Sequence, residues 1–166
     1  MVESNLTTWE EDKKIINPKD IEVFCQKLKA QGKKIATLNG SFDLMHAGHL
    51  HIINRASKLG DVLIVALNTD RSIESYKGPK RPIITLKWRL QLMSALQFVS
   101  YVTWFDEEDP RKILSLIKPD VHVNGAEWGE NCIERETVEA NGGKLHLVER
   151  TPGLSTSEII AKIQSL

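Results

Sequence analysis

The sequence predicts an α/β protein, a doubly wound, Rossmann-like parallel sheet of about five strands in a single domain. Three observations carry the prediction. Short apolar runs alternate with helical segments of about ten residues, so each strand-to-strand connection is long enough to be the crossover that parallel strands require. The run Asp61-Val-Leu-Ile-Val-Ala-Leu-Asn68 is almost continuously apolar, the pattern of a strand covered on both faces. Glycine-bearing polar segments follow the strands, where open α/β sheets bind ligands.

Taken in chain order, a polar leader ends at Asn17-Pro18, an N-cap and a proline at the first helical position. Ile21, Phe24, Cys25 and Leu28 then recur at helical spacing until Gly32. This leader and helix, residues 1–32, precede the domain proper, residues 33–166. Lys34 to Asn39 reads as the first strand, Leu50 to Leu59 as a helix stopped by Gly60, and Asp61 to Asn68 as the second strand. Thr85 is placed to cap a helix from Leu86 to about Phe98, with Leu86, Leu90, Met93 and Leu96 or Gln97 facing inward. Tyr101 to Trp104 reads as a strand, Asp109-Pro110 opens a helix through Ile117, and Val121 to Asn124 is the fourth strand. Ile133 to Ala140 is helical, Lys144 to Val148 is the last strand, and Ser155 to Ile163 closes the chain as a helix.

Composition excludes several functions. The 166 residues are 41% hydrophobic and 27% charged, the balance of a folded globule rather than a disordered chain. Lys plus Arg and Asp plus Glu number 22 each, so the basic excess that nucleic-acid binding by counterion release demands is missing. Cys25 and Cys132 are far apart and form neither a disulfide framework nor a CxxC metal site. No apolar run approaches the roughly 18 residues of a membrane span, and residues 1–12 show no basic stretch followed by an apolar one. A cytoplasmic protein with no nucleic-acid or membrane partner is expected.

The chemistry centres on Asn39-Gly40-Ser41-Phe42-Asp43-Leu44-Met45-His46-Ala47-Gly48-His49. A strand ends, a glycine turn follows, and two histidines three apart open a helix, sharing a face with its free backbone N–H groups. Gly48 allows a phosphate or base close to the backbone. A zinc reading needs a third ligand and the usual i, i+4 spacing, and His-x-x-His supplies neither. Two histidines by themselves fit a plain helix surface better.

With its surroundings the segment resembles the HxGH signature of the nucleotidyltransferase superfamily of small Rossmann-like enzymes, which includes cytidylyltransferases, pantetheine-phosphate adenylyltransferase and ADP-heptose synthases. Three further segments extend the resemblance. Lys77-Gly78-Pro79-Lys80-Arg81-Pro82, ahead of Trp88-Arg89, is similar to the KGxxRP loop before the Arg-bearing helix of the heptose and glycerol-phosphate enzymes. Arginine's planar fork suits phosphate oxygens, so Arg81 and Arg89 are candidates, whereas Lys87 reads as solvated surface. Thr151-Pro152-Gly153-Leu154-Ser155-Thr156-Ser157 resembles the segment that closes over the triphosphate, with Ser155 and Thr156 at the matching positions. Val123-Asn124-Gly125-Ala126-Glu127-Trp128 resembles the heptose enzymes' Val-Lys-Gly-Gly-Asp-Tyr/Trp, with Asn124, Ala126 and Glu127 departing from it.

Residues 134–148, with Ala140-Asn-Gly-Gly143 before the last strand, look most like the heptose branch, while Arg150-Thr-Pro-Gly-Leu-Ser-Thr156 is closer to cytidylyltransferases. The resemblance therefore implies adenylyl transfer from ATP to D-glycero-β-D-manno-heptose 1-phosphate, with cytidylyl transfer to glycerol 3-phosphate or a similar alcohol as the alternative. A nucleotide-binding regulatory module without turnover is the alternative of another class. By resemblance, His46, His49, Arg89 and Lys34 are the catalytic set. Asn39, Gly40, Ser41, Phe42, Gly48, Arg81, Gly125, Glu127, Trp128, Ser155 and Thr156 would bind nucleotide or phosphate, and Asp43, Asn68, Asp70 and Lys77 the acceptor. Asp43 reads as a turn acceptor rather than a general base. Mg²⁺ is expected with ATP and without a protein ligand, the partners are a nucleoside triphosphate and a sugar phosphate, and a homodimer is expected by resemblance. The basic run from Lys77 to Arg89 should face phosphates, and Asp106-Glu107-Glu108-Asp109 should lie away from the site.

Overall fold

A computed structural model of the chain describes residues 12–149 and 155–166. Among these, five strands form one sheet: β1 (Ile35–Gly40), β2 (Val62–Asn68), β3 (Tyr101–Phe105), β4 (Val121–Gly125) and β5 (Lys144–Val148). Every pairing is parallel and the order is β3-β2-β1-β4-β5. The chain winds outward from β1 through β2 to β3, then crosses to β4 on the other flank. Strand order thus reverses between β1 and β4, which opens a crevice at their carboxyl ends.

Helices cover both faces: α1 (Ile21–Ala30), α2 (Ala47–Ser57), α3 (Asp70–Lys77), α4 (Leu86–Ser94), α5 (Arg111–Ile117), α6 (Glu134–Ala140) and α7 (Thr156–Gln164). The alternation of β2 shows why the run had to be apolar throughout. Leu63, Val65 and Leu67 join Ile53 and Ala56 of α2 and Leu90 and Met93 of α4 in one core. Val62, Ile64 and Ala66 join Ile21, Cys25 and Leu28 of α1 and Ile113, Leu114 and Ile117 of α5 in the other. A two-residue period puts successive side chains on opposite faces, and both faces here are interior. Because α1 contributes to that second core, it is packed into the same body as the sheet.

Several boundaries differ from the sequence expectation. Asn17 does not cap α1. Its Oδ1 accepts from Lys19 N at 3.0 Å within a turn, and the helix starts at Ile21 with Asp20 at the cap. Helix α2 begins earlier than Leu50 because His46 caps it. Helix α4 stops at Ser94, and its first amide is capped by Asp70 Oδ1 on Leu86 N at 2.8 Å rather than by the Thr85 side chain. Helix α3 was not expected, since only Ser72 and Ile73 of its eight residues are buried and little apolar period shows. Part of the leader also joins the fold. Ile15 bridges Val102 beside β3, and Lys14 Nζ donates to the carbonyls of Ser94 at 3.0 Å and Val99 at 3.1 Å.

Candidate active site

The carboxyl ends of the strands surround a cavity of about 710 Å³. Asn39, Gly40, Ser41 and Phe42 reach it from β1 and the turn beyond, Asn68 from β2, and Asn124, Gly125, Glu127 and Trp128 from β4 and the single 3-10 turn that follows. His46, Gly48 and His49 enter from the first turn of α2, Lys77 from the end of α3, and Ser155 and Thr156 from the start of α7. Residues as distant in sequence as Asn39 and Thr156 meet because a parallel sheet delivers every strand end to one edge.

The two histidines are locked into the helix start. His46 Nδ1 accepts from Gly48 N at 3.1 Å, and His49 Nδ1 accepts from His46 N at 3.3 Å. Their rings stack with centroids 4.0 Å apart, and Phe42 packs edge-on against His49 at 5.2 Å. Phe42 holds this position in the left-handed backbone region, at φ 44°. Burial, the adjoining His46 and the Lys77 ammonium push the His49 pKa down to about 4, so the ring is neutral at pH 7. A neutral imidazole that accepts at Nδ1 carries its proton on Nε2. The hydrogen-bond pattern thus makes His49 a donor at Nε2, the atom needed to meet a phosphate oxygen.

Lys77 Nζ donates to Ser41 Oγ at 3.1 Å, and burial together with Arg81 lowers its pKa. Ser155 caps α7, its Oγ accepting from Glu158 N at 3.1 Å. Thr156 Oγ1 donates to Leu44 O at 3.4 Å, docking the start of α7 onto the segment before the histidines. Residues 150–154 of the same motif lie outside the described residues.

Other candidates are placed elsewhere. Lys34 stands ahead of β1, at the amino edge of the sheet, with its backbone N on Asp61 Oδ2 at 2.8 Å. The six residues of β1 separate it from the cavity by roughly 20 Å, so it is not part of the site. Arg89 lies beneath the site and does not line it. Its side chain is wholly buried and donates to Ile84 O at 2.9 Å, Ser41 O and Asn68 O at 2.8 Å, and Asp70 Oδ1 at 2.7 Å. The guanidinium that sequence assigned to phosphate instead ties the ends of β1 and β2 to the entry of α4, and Asp70 serves it and Leu86 N rather than the cavity. Asp43 is buried too. It accepts from Arg81 Nε at 2.7 Å and from the amides of Ile83 and Ile84, anchoring the loop before α4 as a turn acceptor. Burial alone would raise its pKa, but those two amides and Arg81 hold the carboxyl below its ordinary value.

Of the basic run, Lys77 reaches the cavity. The acidic run does as well, since Glu108 and Asp109 line it, contrary to the expectation that they face away. They follow β3, whose carboxyl end opens on the same edge. Sequence reasoning also missed Glu134, Cys132, Tyr76 and Glu149 on the cavity wall. Only their position after a strand, or on a helix flanking a strand end, marked them.

A doubly wound sheet whose switch point carries a glycine turn and an HxGH helix start defines a nucleotidyltransferase domain. The chain belongs to the cytidylyltransferase-like family, whose model matches residues 37–162. It is 44% identical over 137 residues to the bifunctional protein HldE of Citrifermentans bemidjiense, covering 82% of this chain and 28% of that protein. It is 38% identical over 145 residues to the bifunctional protein HldE of Hahella chejuensis, covering 87% and 30%. The chain therefore spans less than a third of these relatives' length. Among solved structures it resembles the lipopolysaccharide core biosynthesis protein of Thermoplasma volcanium, with a TM-score of 0.58 and 28% identity over 72% of this chain and 98% of that one. Pantoate-beta-alanine ligase of Francisella tularensis, at 17% identity and a TM-score of 0.59 over 92% and 78%, shares the fold. Among the described residues no helix is long and apolar enough to cross a membrane.

Proposed function

We propose that the chain transfers AMP from ATP to D-glycero-β-D-manno-heptose 1-phosphate, giving ADP-heptose and pyrophosphate. One observation carries the chemistry: two stacked imidazoles held by backbone bonds at a strand-end helix start, inside a cavity large enough for both substrates. The choice of sugar rests on the similarity to bifunctional HldE proteins.

The reaction needs no nucleophilic side chain. An oxygen of the sugar phosphate, already anionic at pH 7, forms a bond to the α-phosphorus while the bond from that phosphorus to the bridging oxygen breaks and pyrophosphate leaves. His49 Nε2–H is a donor for the leaving bridging oxygen, and His46 for the transferred phosphoryl group. Lys77 adds a positive charge beside Ser41, and the start of α7 offers Ser155 and Thr156 to the outer phosphates. Arg89 acts through the backbone of Ser41 and Asn68, fixing the floor on which the reactants align. A Mg²⁺ carried by the triphosphate, without a side-chain ligand, would supply charge neutralisation there. The Glu108 and Asp109 carboxylates on the cavity wall suit its water shell.

The test is a panel of ATP, CTP, GTP and UTP against heptose 1-phosphate and glycerol 3-phosphate, read by pyrophosphate release. Release with ATP and heptose 1-phosphate is expected. Release confined to CTP with glycerol phosphate would replace this reading with cytidylyl transfer, and none with any pair would leave a nucleotide-binding module.

A further inference from the structure

The cavity has two unlike walls. Beside β2 and β3 it presents Lys77, Tyr76, Glu108 and Asp109, a charged and polar set. Beside β4 and α6 it presents Trp128 and Ile133 as apolar surface around Asn39, Asn124 and Glu134. An apolar slot with a few fixed polar groups is the usual form of a site for a flat heterocycle. The histidines, following β1, stand between the two walls because β1 lies between β2 and β4.

The polar groups of the second wall are only partly matched by the protein itself. Glu134 and Asn124 are only 7% and 8% exposed. Asn124 commits its Oδ1 to Gly125 N at 3.0 Å, and its Nδ2 reaches Glu134 Oε2 only at 3.4 Å. Among the described residues no Lys, Arg or His forms an ion pair with Glu134. The register Leu38↔Val123 sets Asn39 beside Asn124 on the neighbouring strand, and Asn39 Oδ1 is buried with no hydrogen-bond partner. Among the described residues Glu134 meets only the neutral Asn124 amide and Cys132 thiol, and the buried Asn39 oxygen has no donor, so a ligand bringing N–H groups to this wall relieves a cost.

We propose that Glu134, with Asn39, selects the nucleobase by accepting from an exocyclic amine, favouring adenine or cytosine over bases that present a carbonyl there. This rests on the nucleotidyl-transfer reading above and deepens it. A carbonyl oxygen set against the Glu134 carboxylate leaves both acceptors unpaired, and a site built for a donor rejects a ligand lacking it far more strongly than a greasy pocket rejects a misfit.

Calorimetric binding of ATP and inosine triphosphate to the full chain, with Mg²⁺ and without acceptor, tests the assignment, because the two differ at the six-position amine. ATP should bind about tenfold or more tightly, the worth of one hydrogen bond to a charged group. In Glu134→Gln, whose amide can either donate or accept, the ratio should fall to within about threefold. Equal binding of the two nucleotides by the unaltered protein would overturn the proposal. So would an unchanged ratio in Glu134→Gln, which would leave Glu134 as a helix-capping charge only. The first comparison does not depend on any variant folding. If neither nucleotide binds, the transfer reading falls together with the proposal. If both bind equally and ATP is still turned over, only the base assignment falls.

Discussion

Single side chains divide into those that meet the cavity and those that hold it open. His49 belongs to the first group. Replacing it by alanine removes a preorganised donor, and kcat should fall by about 100-fold or more while thermal unfolding changes little. Pyrophosphate release at a near-normal rate would sink the mechanism. Arg89 belongs to the second group. In Arg89→Leu three carbonyls and Asp70 lose their donor, so urea unfolding should show a loss of about 3–5 kcal/mol in addition to any loss of turnover. Full stability with lost turnover would return Arg89 to direct phosphate contact. The sequence identified both residues as important, but the contacts that separate their tasks are long-range: Ser41 lies 48 positions from Arg89, and no local pattern shows the bond.

At the scale of elements, the loop between α3 and α4 is held from outside itself. Asp43, in the turn after β1, supplies acceptors for Arg81, Ile83 and Ile84, so Asp43→Asn should loosen the loop and cost about 3 kcal/mol, measurable by chemical unfolding. The turn from α6 into β5 is equally constrained. A Cβ on Gly143 would lie 2.2 Å from Pro119 O and 2.9 Å from Val138 Cγ1, both packed against it. Gly143→Ala should therefore lower stability by about 1–3 kcal/mol, whereas Gly142→Ala, facing open space, should act only through its positive φ. An unaltered melting temperature in Gly143→Ala would contradict this packing. Strands and most helices were legible because apolar period and glycine punctuation are local signals. The early start of α2, the Asp70 cap on α4 and the whole of α3 were not: a histidine is an unusual N-cap, α3 shows little apolar period, and Asp70 reaches Leu86 N from another helix.

For the molecule as a whole, acid should be the weak side. An unfolded imidazole takes its proton near pH 6.5, but His49 and His122 are held down to about 4, His49 by burial, His46 and Lys77, and His122 by burial alone. The unfolded chain therefore binds more protons between those values. The stability these groups contribute is fully present above about pH 6.5 and is lost as pH falls toward 4. His122 sits in the sheet with Nδ1 on Thr37 Oγ1 at 2.8 Å and Nε2 buried without a partner, and by itself it should contribute on the order of 3 kcal/mol to this slope. Melting temperatures that stay level from pH 7 to pH 4.5 would refute it.

The sequence by itself determined the alternation of strands and helices, the double burial of β2 and the strand-turn-helix order of Asn39 to His49, because each is written in neighbouring residues. Tertiary structure alone decided which charges face the cavity. It moved Lys34 to the opposite edge, turned Arg89 and Asp43 into internal supports, and brought Glu108, Asp109 and Glu134 to the wall. The physical reason is that a parallel sheet gathers every strand's carboxyl end at one edge, whereas a side chain's partner is fixed by what lies beside it in space.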